Sequence, residues 1–384
     1  MKILVCASEY PPHGSGIGNV GFRMVREFER RGHRCTVCSP TGPDIRLGSH
    51  RLIRRFGGIG LLYFWWQVAR YFGGKDAKWD AVWLHWPLFL RKCPFPSALA
   101  TFHGTYSGFS STAGEGQASF FLRGYYAFMA AVERRSLRRL SGGQYRFSAV
   151  SQAAAAELGV GGVPAEQVTY VPVGVDADRF SPTDDGTEVR RKLGIPAEAI
   201  VLLFVGRLTH PKNLFRMVDA FSGLRARIQE SVLLIAGSGE LQKQVARYIE
   251  RQALPDVRML GHVPNEELPA LHACADFFVM ASTYEGQPVA LLEAMSSGVP
   301  PILSEIPVMK QIVAESGVGI TVDFTSPSDA AARIADYVGN SKSGQDREAS
   351  RDYVVRTMSA DVCAERYLDL LMEGSRMPVP GGAA

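Results

Sequence analysis

The sequence predicts an α/β protein built from two doubly wound domains. Strand-like apolar runs alternate with helical patterns along the chain, and this alternation is typical of parallel sheets wrapped by helices. A length of 384 residues exceeds what one ordinary core accommodates. A segment with prolines and glycine at 171–182 divides the alternation into two series. Each series therefore predicts a Rossmann-like domain whose strands end at a shared cleft, which is where ligands bind in such folds.

The first series begins with an apolar run at the start of the chain. We predict strands over 3–7, 35–39, 81–84, 98–102 and 147–150, and helices near 19–31 and 120–140. In the second series we predict strands over 200–206, 232–236, 257–260, 277–280, 301–303 and 319–322. A helix begins near Pro288, because proline suits a first helical turn. These elements indicate an N-terminal domain over 1–175 and a C-terminal domain over 176–360, with a last helix over about 361–375 packed back on the first domain.

Composition indicates a folded protein of the cytoplasm. Hydrophobic residues make up 46% of the chain and charged residues 21%, as in soluble globular proteins. Because the chain opens directly into a strand pattern, we expect no signal peptide. The most apolar stretch, 61–66, is too short for a helix that spans a bilayer. The six cysteines are scattered, and the C-x-x-C spacing of Cys35 and Cys38 falls in a strand pattern, which favours reduced thiols over a metal or redox site.

Positive charge is concentrated in the first half of the chain. Residues 1–176 carry 21 Lys and Arg against 11 Asp and Glu, so this half has a net charge of +10 and the remainder −6. Within 46–78, basic residues are interleaved with aromatic ones, which is typical of an amphipathic segment on anionic lipid. The alternative is a solvated basic face above core aromatics. No recognisable nucleic-acid-binding module accompanies the basic residues, so we expect no nucleic acid partner.

Two carboxylates eight positions apart are the strongest candidates for a binding site. Glu285 follows the predicted strand over 277–280 and should lie in a loop at its C-terminal end. Glu293 falls inside an apolar helix, where an unpaired charge is costly. Two fixed acceptors at the mouth of an α/β sheet suit the hydroxyls of a sugar and of a ribose. The alternative is a helix N-terminal charge beside a surface loop acid.

A glycine-rich segment opens the first predicted helix. Gly14, Gly16, Gly18 and Gly21 lack side chains that would keep a phosphate or a sugar away from the helix N-terminus. The segment contains a G-x-G-x-x-G pattern, but residues 8–13 separate it from the preceding strand, and no acid ends the next strand. NAD binding is therefore the weaker alternative.

Cationic and glycine turns follow the first two strands of the second series. Arg207 and Lys212 lie over one turn and suit a diphosphate, or a leaving group that gains negative charge. A surface salt bridge is the alternative role for these cations. Gly237 and Gly239 end the next strand in a flexible turn that suits a base or a ribose.

Two histidines end neighbouring strands of the first series. His103 follows the strand over 98–102 and should face the same cleft as the second-series turns. His85 ends the preceding strand and is a weaker candidate for a functional histidine. A structural role is the alternative for both.

In this order, the motifs resemble the retaining glycosyltransferases of family 4, which have the GT-B fold and an E-x7-E signature. The resemblance spans nearly the whole chain. It rests on Glu285 and Glu293, the glycine loop near Gly16, His103, Gly174-Val175-Asp176, Gly206-Arg207, Lys212, Gly237 and Gly239, Gly261-His262-Val263-Pro264, Glu293-Ala294-Met295 and Gly298-Val299-Pro300. Val173 and Gln287-Pro288 depart from residues common in the family, and the second departure bears on the shape of the sugar pocket.

The resemblance implies a nucleotide-sugar donor held mainly by the second domain and an acceptor held by the first. It implies that Arg207 and Lys212 bind the donor diphosphate, Glu285 the hydroxyls of the transferred sugar and Glu293 the ribose. Those two cations, Glu285 and His103 are the implied catalytic residues. The implied donor site also contains Gly16, Gly206, Gly237, Gly239, Val263, Gly286, Gln287, Pro288 and Val289, and the implied acceptor site contains Gly14, Gly16 and His103. No cofactor and no metal is implied, because cations and helix N-termini stabilise the charge.

The residues and the resemblance together predict a metal-independent retaining hexosyltransferase. We expect it to move a hexose-type sugar from a UDP- or GDP-sugar to a lipid-linked, lipopolysaccharide-type or exopolysaccharide-type acceptor. The basic aromatic segment places this reaction at the inner face of the cytoplasmic membrane. Two alternatives share the fold: a nucleotide-sugar 2-epimerase, which needs no acceptor, and a sugar-nucleotide-binding pseudoenzyme. The second is disfavoured, because every charged position of the motif set is present.

Overall fold

The computed structural model describes residues 1–11, 16–74, 79–112, 120–182, 186–341 and 343–375. The chain divides into two compact units. The first contains the residues up to Gly174 and the last helix, which starts at Ala360, and the second spans Val175–Ser359. Each unit contains a six-stranded sheet in which the described strand pairings are parallel. The predicted α/β class is therefore confirmed.

The first unit alternates strands and helices from its start. Its elements up to residue 170 are β1 (Lys2–Ala7), α1 (Gly16–Arg30), β2 (Arg34–Cys38), α2 (His50–Phe56), α3 (Gly58–Phe72), β3 (Ala81–His85), β4 (Ser97–Phe102), α4 (Tyr106–Thr112), α5 (Phe120–Ser141), β5 (Gln144–Ala149), α6 (Gln152–Val160) and β6 (Val168–Tyr170). The strand order is β2-β1-β3-β4-β5-β6. Strand β3 is buried along its whole length, as expected where helices cover both faces of a parallel sheet.

The second unit repeats this architecture. Its elements are α7 (Thr187–Lys192), β7 (Ile200–Val205), α8 (Leu214–Arg225), β8 (Ser231–Ala236), α9 (Gln242–Arg251), β9 (Val257–Gly261), α10 (Leu268–Ala273), β10 (Phe277–Met280), α11 (Val289–Ser296), β11 (Pro301–Ser304), α12 (Pro307–Ser316), β12 (Ile320–Val322), α13 (Pro327–Asn340) and α14 (Ser343–Met358). The strand order is β12-β11-β10-β7-β8-β9. Strand β7 thus lies between β10 and β8, which brings the turns after these three strands together.

The last helix, α15 (Ala360–Ser375), belongs to the first unit. Its Tyr367 is fully buried, with the ring centroid 4.8 Å from that of Trp83 on β3. The Tyr367 hydroxyl donates to the Val171 carbonyl at 3.3 Å. At the start of α15, Asp361 forms an ion pair with Arg31, just beyond α1. The C-terminal helix therefore closes one face of the first sheet.

The basic aromatic segment over 46–78 forms two helices, with residues 75–78 outside the described part. Helices α2 and α3 meet at Gly57, whose φ of 53° turns the chain between them. Phe64 and Trp65 are fully buried in the core, so the expectation that these aromatics face lipid is wrong. Phe56 and Trp66 are 47% and 48% exposed and remain candidates for that role. No helix in the described part of the chain is long and apolar enough to cross a bilayer.

Candidate functional site

The ends of β7 and β8 approach each other at glycines. Gly237 has a φ of +136°, and a Cβ atom there would lie 1.8 Å from the carbonyl oxygen of Gly206. A Cβ atom at Gly239 would lie 2.4 Å from the carbonyl oxygen of Leu208. The Leu208 amide donates to the Ser238 carbonyl at 3.0 Å, which fixes the two turns to each other. Only glycine fits at positions 237 and 239, and the half-exposed backbone of these turns is open to a ligand.

An ion pair joins the turn after β7 to the turn after β10. Lys212 ends a short 3₁₀ turn, and its Nζ donates to Oε1 of Glu285. The two side chains are only 19% and 12% exposed. The Thr283 amide also donates to the Pro211 carbonyl at 2.9 Å. Two residues 73 positions apart in the sequence are thus held together, and a ligand at this point meets a cation and an acceptor side by side.

Arg207 differs from Lys212, although the sequence predicts that both cations serve one diphosphate. Arg207 is exposed, and its guanidinium forms no hydrogen bond or ion pair with any described residue. Its guanidinium is therefore available for an anion, whereas the ammonium of Lys212 is shared with a carboxylate before any ligand arrives.

Glu293 lies on the first turns of α11. It is half-buried between Leu292 and Ala294, which are fully buried. Pro288 directly precedes the helix, as the sequence predicts. Gln287 is 9% exposed, and its Nε2 donates to Sδ of Met358 at 3.4 Å. The segment from 285 to 288 is thus held at Glu285 and Gln287, while Gly286 and Val289 are half-buried.

Val263 lies just beyond β9, on the other side of the glycine turn. The Gly237 amide donates to the Gly261 carbonyl at 2.7 Å, which ties the end of β8 to the end of β9. Val263 is half-buried two residues later. The ends of β7, β8 and β9 are therefore joined through Gly206, Gly237 and Gly261.

In the first unit, two histidines meet at the ends of adjacent strands. Nδ1 of His85 lies 3.0 Å from Nε2 of His103. Gly16 is the first residue of α1, while Gly14 lies outside the described residues. The structure thus places His103 beside a partner that the sequence singled out only weakly.

Comparison with known families accounts for both units. A family model described as Glycosyltransferase Family 4 matches residues 14–179, and one described as Glycosyl transferases group 1 matches residues 185–352. The chain is a family 4 glycosyltransferase. Its two six-stranded parallel sheets are those of the GT-B fold, so the family and the fold predicted from the motifs are confirmed.

Individual relatives cover nearly the full length of this glycosyltransferase. The GDP-mannose-dependent alpha-(1-6)-phosphatidylinositol monomannoside mannosyltransferase of Mycobacterium tuberculosis (strain CDC 1551 / Oshkosh) is 27% identical over 398 aligned positions, which cover 96% of this chain and 98% of the relative. WaaG, a glycosyltransferase involved in lipopolysaccharide biosynthesis, has a structure that aligns with a TM-score of 0.74 at 18% identity, covering 96% and 99%. Anabaena Alr3699/HepE in complex with UDP and glucose aligns with a TM-score of 0.73 at 16% identity, covering 97% and 100%.

The glycosyltransferase also contains a buried carboxyl group that sequence reasoning missed. Glu133 on α5 is 1% exposed. Its Oε1 accepts from Nε1 of Trp86 and its Oε2 from the amide of Tyr106, both at 2.8 Å. Burial raises the pKa of Glu133 to about 7, against the lowering effect of these donors. Its burial could have been predicted from helical spacing, because Glu133 lies on the same apolar stripe of α5 as Met129 and Leu140.

Proposed function

We propose that this glycosyltransferase transfers a hexose from a UDP- or GDP-sugar to a lipid-linked or polysaccharide acceptor, with retention of anomeric configuration and without a metal. The observation that carries the proposal is the pairing of Lys212 with Glu285 beside the glycine turns. A nucleotide-sugar presents both a diphosphate and sugar hydroxyls, and this pair offers a cation and a carboxylate for them.

Four charged groups of the second unit have a role in the proposed reaction. When the bond between the sugar and the diphosphate breaks, negative charge builds up on the departing phosphate oxygen. The available guanidinium of Arg207 and the ammonium of Lys212 stabilise that charge, which is why a metal ion is not needed. Glu285 then accepts hydrogen bonds from the transferred sugar, and Glu293 accepts them from the ribose.

Two relatives support the proposed UDP- and GDP-sugar donors. The mycobacterial relative is named as GDP-mannose-dependent, and Anabaena HepE was solved with UDP and glucose. The acceptor class has similar support, since one relative acts on a phosphatidylinositol monomannoside and WaaG takes part in lipopolysaccharide biosynthesis. Phosphatidylinositol monomannoside and lipopolysaccharide both contain lipid and sugar, and this supports the proposal of a reaction at the inner face of the cytoplasmic membrane.

The first unit exposes a surface suited to anionic lipid. Exposed arginines at 51, 54 and 55 accompany Phe56 and Trp66 on α2 and α3. The guanidinium of Arg70 lies 5.6 Å from the centre of the Trp66 ring. Helix α5 contacts the junction of these helices, because the Gly58 amide donates to the Tyr125 hydroxyl at 2.6 Å, and α5 exposes 87% of Phe121. We propose that this basic aromatic surface binds the membrane peripherally.

Donor binding is tested by thermal shift against UDP, GDP, ADP, CMP and NAD, each with EDTA. A ligand at 100 times its Kd stabilises the folded state by about 2.7 kcal/mol, which corresponds to roughly 5 °C or more for domains of this size. We expect a shift with UDP or GDP alone. A shift that requires added Mg²⁺ would overturn metal independence. A shift with NAD alone would instead favour NAD binding by the glycine-rich segment, as in a dehydrogenase.

Lys212→Ala and Glu285→Ala test the proposed charge roles. Each should lower transfer by about 100-fold or more, because each removes a group that contacts the reacting sugar or diphosphate. Lys310→Ala is the matched control, since Lys310 forms a 3.1 Å ion pair with Glu305 while 54% exposed. Full activity of Lys212→Ala would remove the diphosphate assignment. Product analysis without acceptor separates transfer from 2-epimerisation, which would release an isomeric nucleotide-sugar.

Membrane binding is tested by sedimentation with vesicles of phosphatidylglycerol and phosphatidylcholine. The variant replaces Arg54, Arg55 and Trp66 by alanine. The two arginines contribute about 2 kcal/mol near an anionic surface, so binding should fall by roughly 30-fold or more. Replacing the exposed Arg247 and Arg251 of α9 supplies the control. Unchanged sedimentation of the first variant would refute the membrane proposal.

A further inference from the structure

His85 and His103 form an isolated neutral pair at the ends of β3 and β4. Their rings are nearly parallel, with an interplanar angle of 11° and centroids 5.2 Å apart. His85 is 1% exposed and His103 is 9% exposed. Burial lowers the pKa of His103 to about 4, and burial together with the charge of His103 lowers the pKa of His85 still more clearly below its usual value. At neutral pH each ring carries one proton, so one ring donates to the other across 3.0 Å.

The direction of this hydrogen bond follows from the other nitrogen of His85. Its Nε2 is buried and has no hydrogen-bond partner among the described residues. Apolar groups surround the ring: the Trp83 ring centroid is 4.1 Å away, and a Cβ atom at Gly21 would lie 3.6 Å from Cε1 of His85. A proton on Nε2 would be a buried N–H without an acceptor, which is rarer in proteins than an acceptor left without a donor. The proton of His85 therefore belongs on Nδ1.

We infer that His85 is a positioning residue that donates from Nδ1 to Nε2 of His103 and so holds His103 with its proton on Nδ1. A neutral imidazole has one proton, and the nitrogen that accepts from His85 cannot also carry it. Nδ1 of His103 then presents an N–H donor and no lone pair. No hydrogen bond links this nitrogen to any described residue.

Both strand ends are held so that the two rings stay in register. The residue after His85, Trp86, has a φ of 53° and donates from its backbone amide to the Thr101 carbonyl at 2.8 Å. Glu133 accepts from Nε1 of Trp86 and from the amide of Tyr106, so one carboxyl group ties the loops that follow both histidines. The spacing of the rings is therefore set by the backbone and not by the ring contact alone.

The fixed tautomer determines what His103 can do, and this step rests on the proposed function. As a donor at Nδ1, His103 binds an oxygen of the reacting sugar. It cannot take the proton of the acceptor hydroxyl at that nitrogen. When the acceptor oxygen bonds to the anomeric carbon and the diphosphate departs, that proton has to pass to a base other than His103, and the departing phosphate oxygen, which gains negative charge in this step, can accept it. His85 thus makes His103 a binding group and excludes it as a general base.

The direct test is two-bond ¹H–¹⁵N NMR of the full chain labelled with ¹⁵N-histidine, without any sugar ligand. The sequence contains eight histidines, and His103→Asn and His85→Asn assign the two of interest. At pH 7 we expect His103 to show a protonated Nδ1 and an unprotonated Nε2, and His85 to show the same pattern. A protonated Nε2 on His103 in the unmodified chain would overturn the inference.

Two variants separate positioning from packing. His85→Phe keeps a ring but removes the donor, and we expect Nε2 of His103 to gain protonated character. His85→Asn retains an amide N–H near the position of Nδ1 and should keep the Nδ1–H form of His103. The inference fails if His103 keeps one tautomer in both variants. If His85→Phe does not fold, as judged by its melting curve, the unmodified chain and His85→Asn still decide the outcome.

The NMR result is independent of whether the proposed transfer reaction is right. Once a donor is identified, His85→Phe should lower kcat by about tenfold or more through misorientation of His103, and His85→Asn should retain most of it. The KM for the donor should change by less than about twofold, because the interaction that is lost is one of orientation in the transition state. A kcat of His85→Phe equal to that of the unmodified enzyme would overturn the positioning role.

Discussion

Replacing Gly237 by alanine tests whether the close approach of β7 and β8 shapes the proposed donor site. The new Cβ atom would lie 1.8 Å from the Gly206 carbonyl oxygen, so that carbonyl has to retreat by at least about 1 Å to relieve the contact. Arg207 is the next residue and moves with it. A displacement of this size typically costs about 100-fold in turnover or in the binding of a positioned substrate. The φ of +136° adds strain of about 1–3 kcal/mol.

Gly317→Ala is the matched control for this variant. Gly317 ends α12 with a φ of +67°, and a Cβ atom there would meet nothing within 4 Å. It should cost about 1–2 kcal/mol of stability and leave ligand binding unchanged. The assay is titration calorimetry with the nucleoside diphosphate that gives the largest thermal shift, together with urea unfolding of each variant. Binding by Gly237→Ala with the affinity of the unmodified enzyme would refute the reasoning.

Two buried ionisable groups give opposite pH dependences of stability. Burial lowers the pKa of His272 to about 3, and neither ring nitrogen has a partner in the described part of the chain. The unfolded chain therefore binds this proton more readily than the folded one, and stability falls as pH drops below about 6.5. His272→Leu should remove about 2 kcal/mol of the loss between pH 7 and pH 5, and an unchanged loss in urea unfolding would contradict this. Glu133 has a raised pKa of about 7, so it lowers stability as pH rises from about 4.5 to 7, by roughly 3 kcal/mol. Glu133→Gln should be less stable than the unmodified chain at pH 5, because the new side-chain NH₂ group would face an N–H donor. The difference in stability should narrow by pH 8, and a constant difference would argue against the raised pKa.

The sequence was sufficient for eleven of the twelve described strands, because most of these parallel strands are short apolar runs between turns. Strand β6 was not predicted, since it is a three-residue edge strand without a buried apolar run. The strand predicted over 277–280 coincides with β10, and the other predicted strands differ from the observed ones by a few residues at their ends. Burial on both faces makes such runs easy to recognise. The end of the strand over 277–280 and Pro288 likewise predicted Glu285 in a loop and Glu293 in a helix, as the structure has them.

The sequence did not show which strands lie next to one another, and so could not predict contacts between residues at neighbouring strand ends. Nothing local to Lys212 indicates that its partner is Glu285, because the contact depends on β10 lying next to β7 in the sheet. The same holds for His85 and His103, which meet because β3 pairs with β4. Local patterns define elements, whereas strand order is a property of the whole domain.

Within a dense apolar run, the sequence also did not show which aromatics are buried. Phe64 and Trp65 face the core while Trp66 is exposed, although all three are adjacent and aromatic. Successive residues of a helix point about 100° apart, so adjacent aromatics on α3 can face the core and the solvent. A membrane-binding surface on this segment has to be built from the exposed residues alone.

The pairing of Lys212 with Glu285 has a consequence for substrate selection. Both side chains are largely buried, so separating them without replacing both partners leaves one charge poorly solvated. A free nucleoside diphosphate supplies an anion for Lys212 but no donor for Glu285. An intact nucleotide-sugar supplies both, through its diphosphate and its sugar hydroxyls. Under the proposed function, the ion pair would therefore favour the substrate over the nucleotide product, and it would re-form when the sugar has left, which would help to expel the diphosphate.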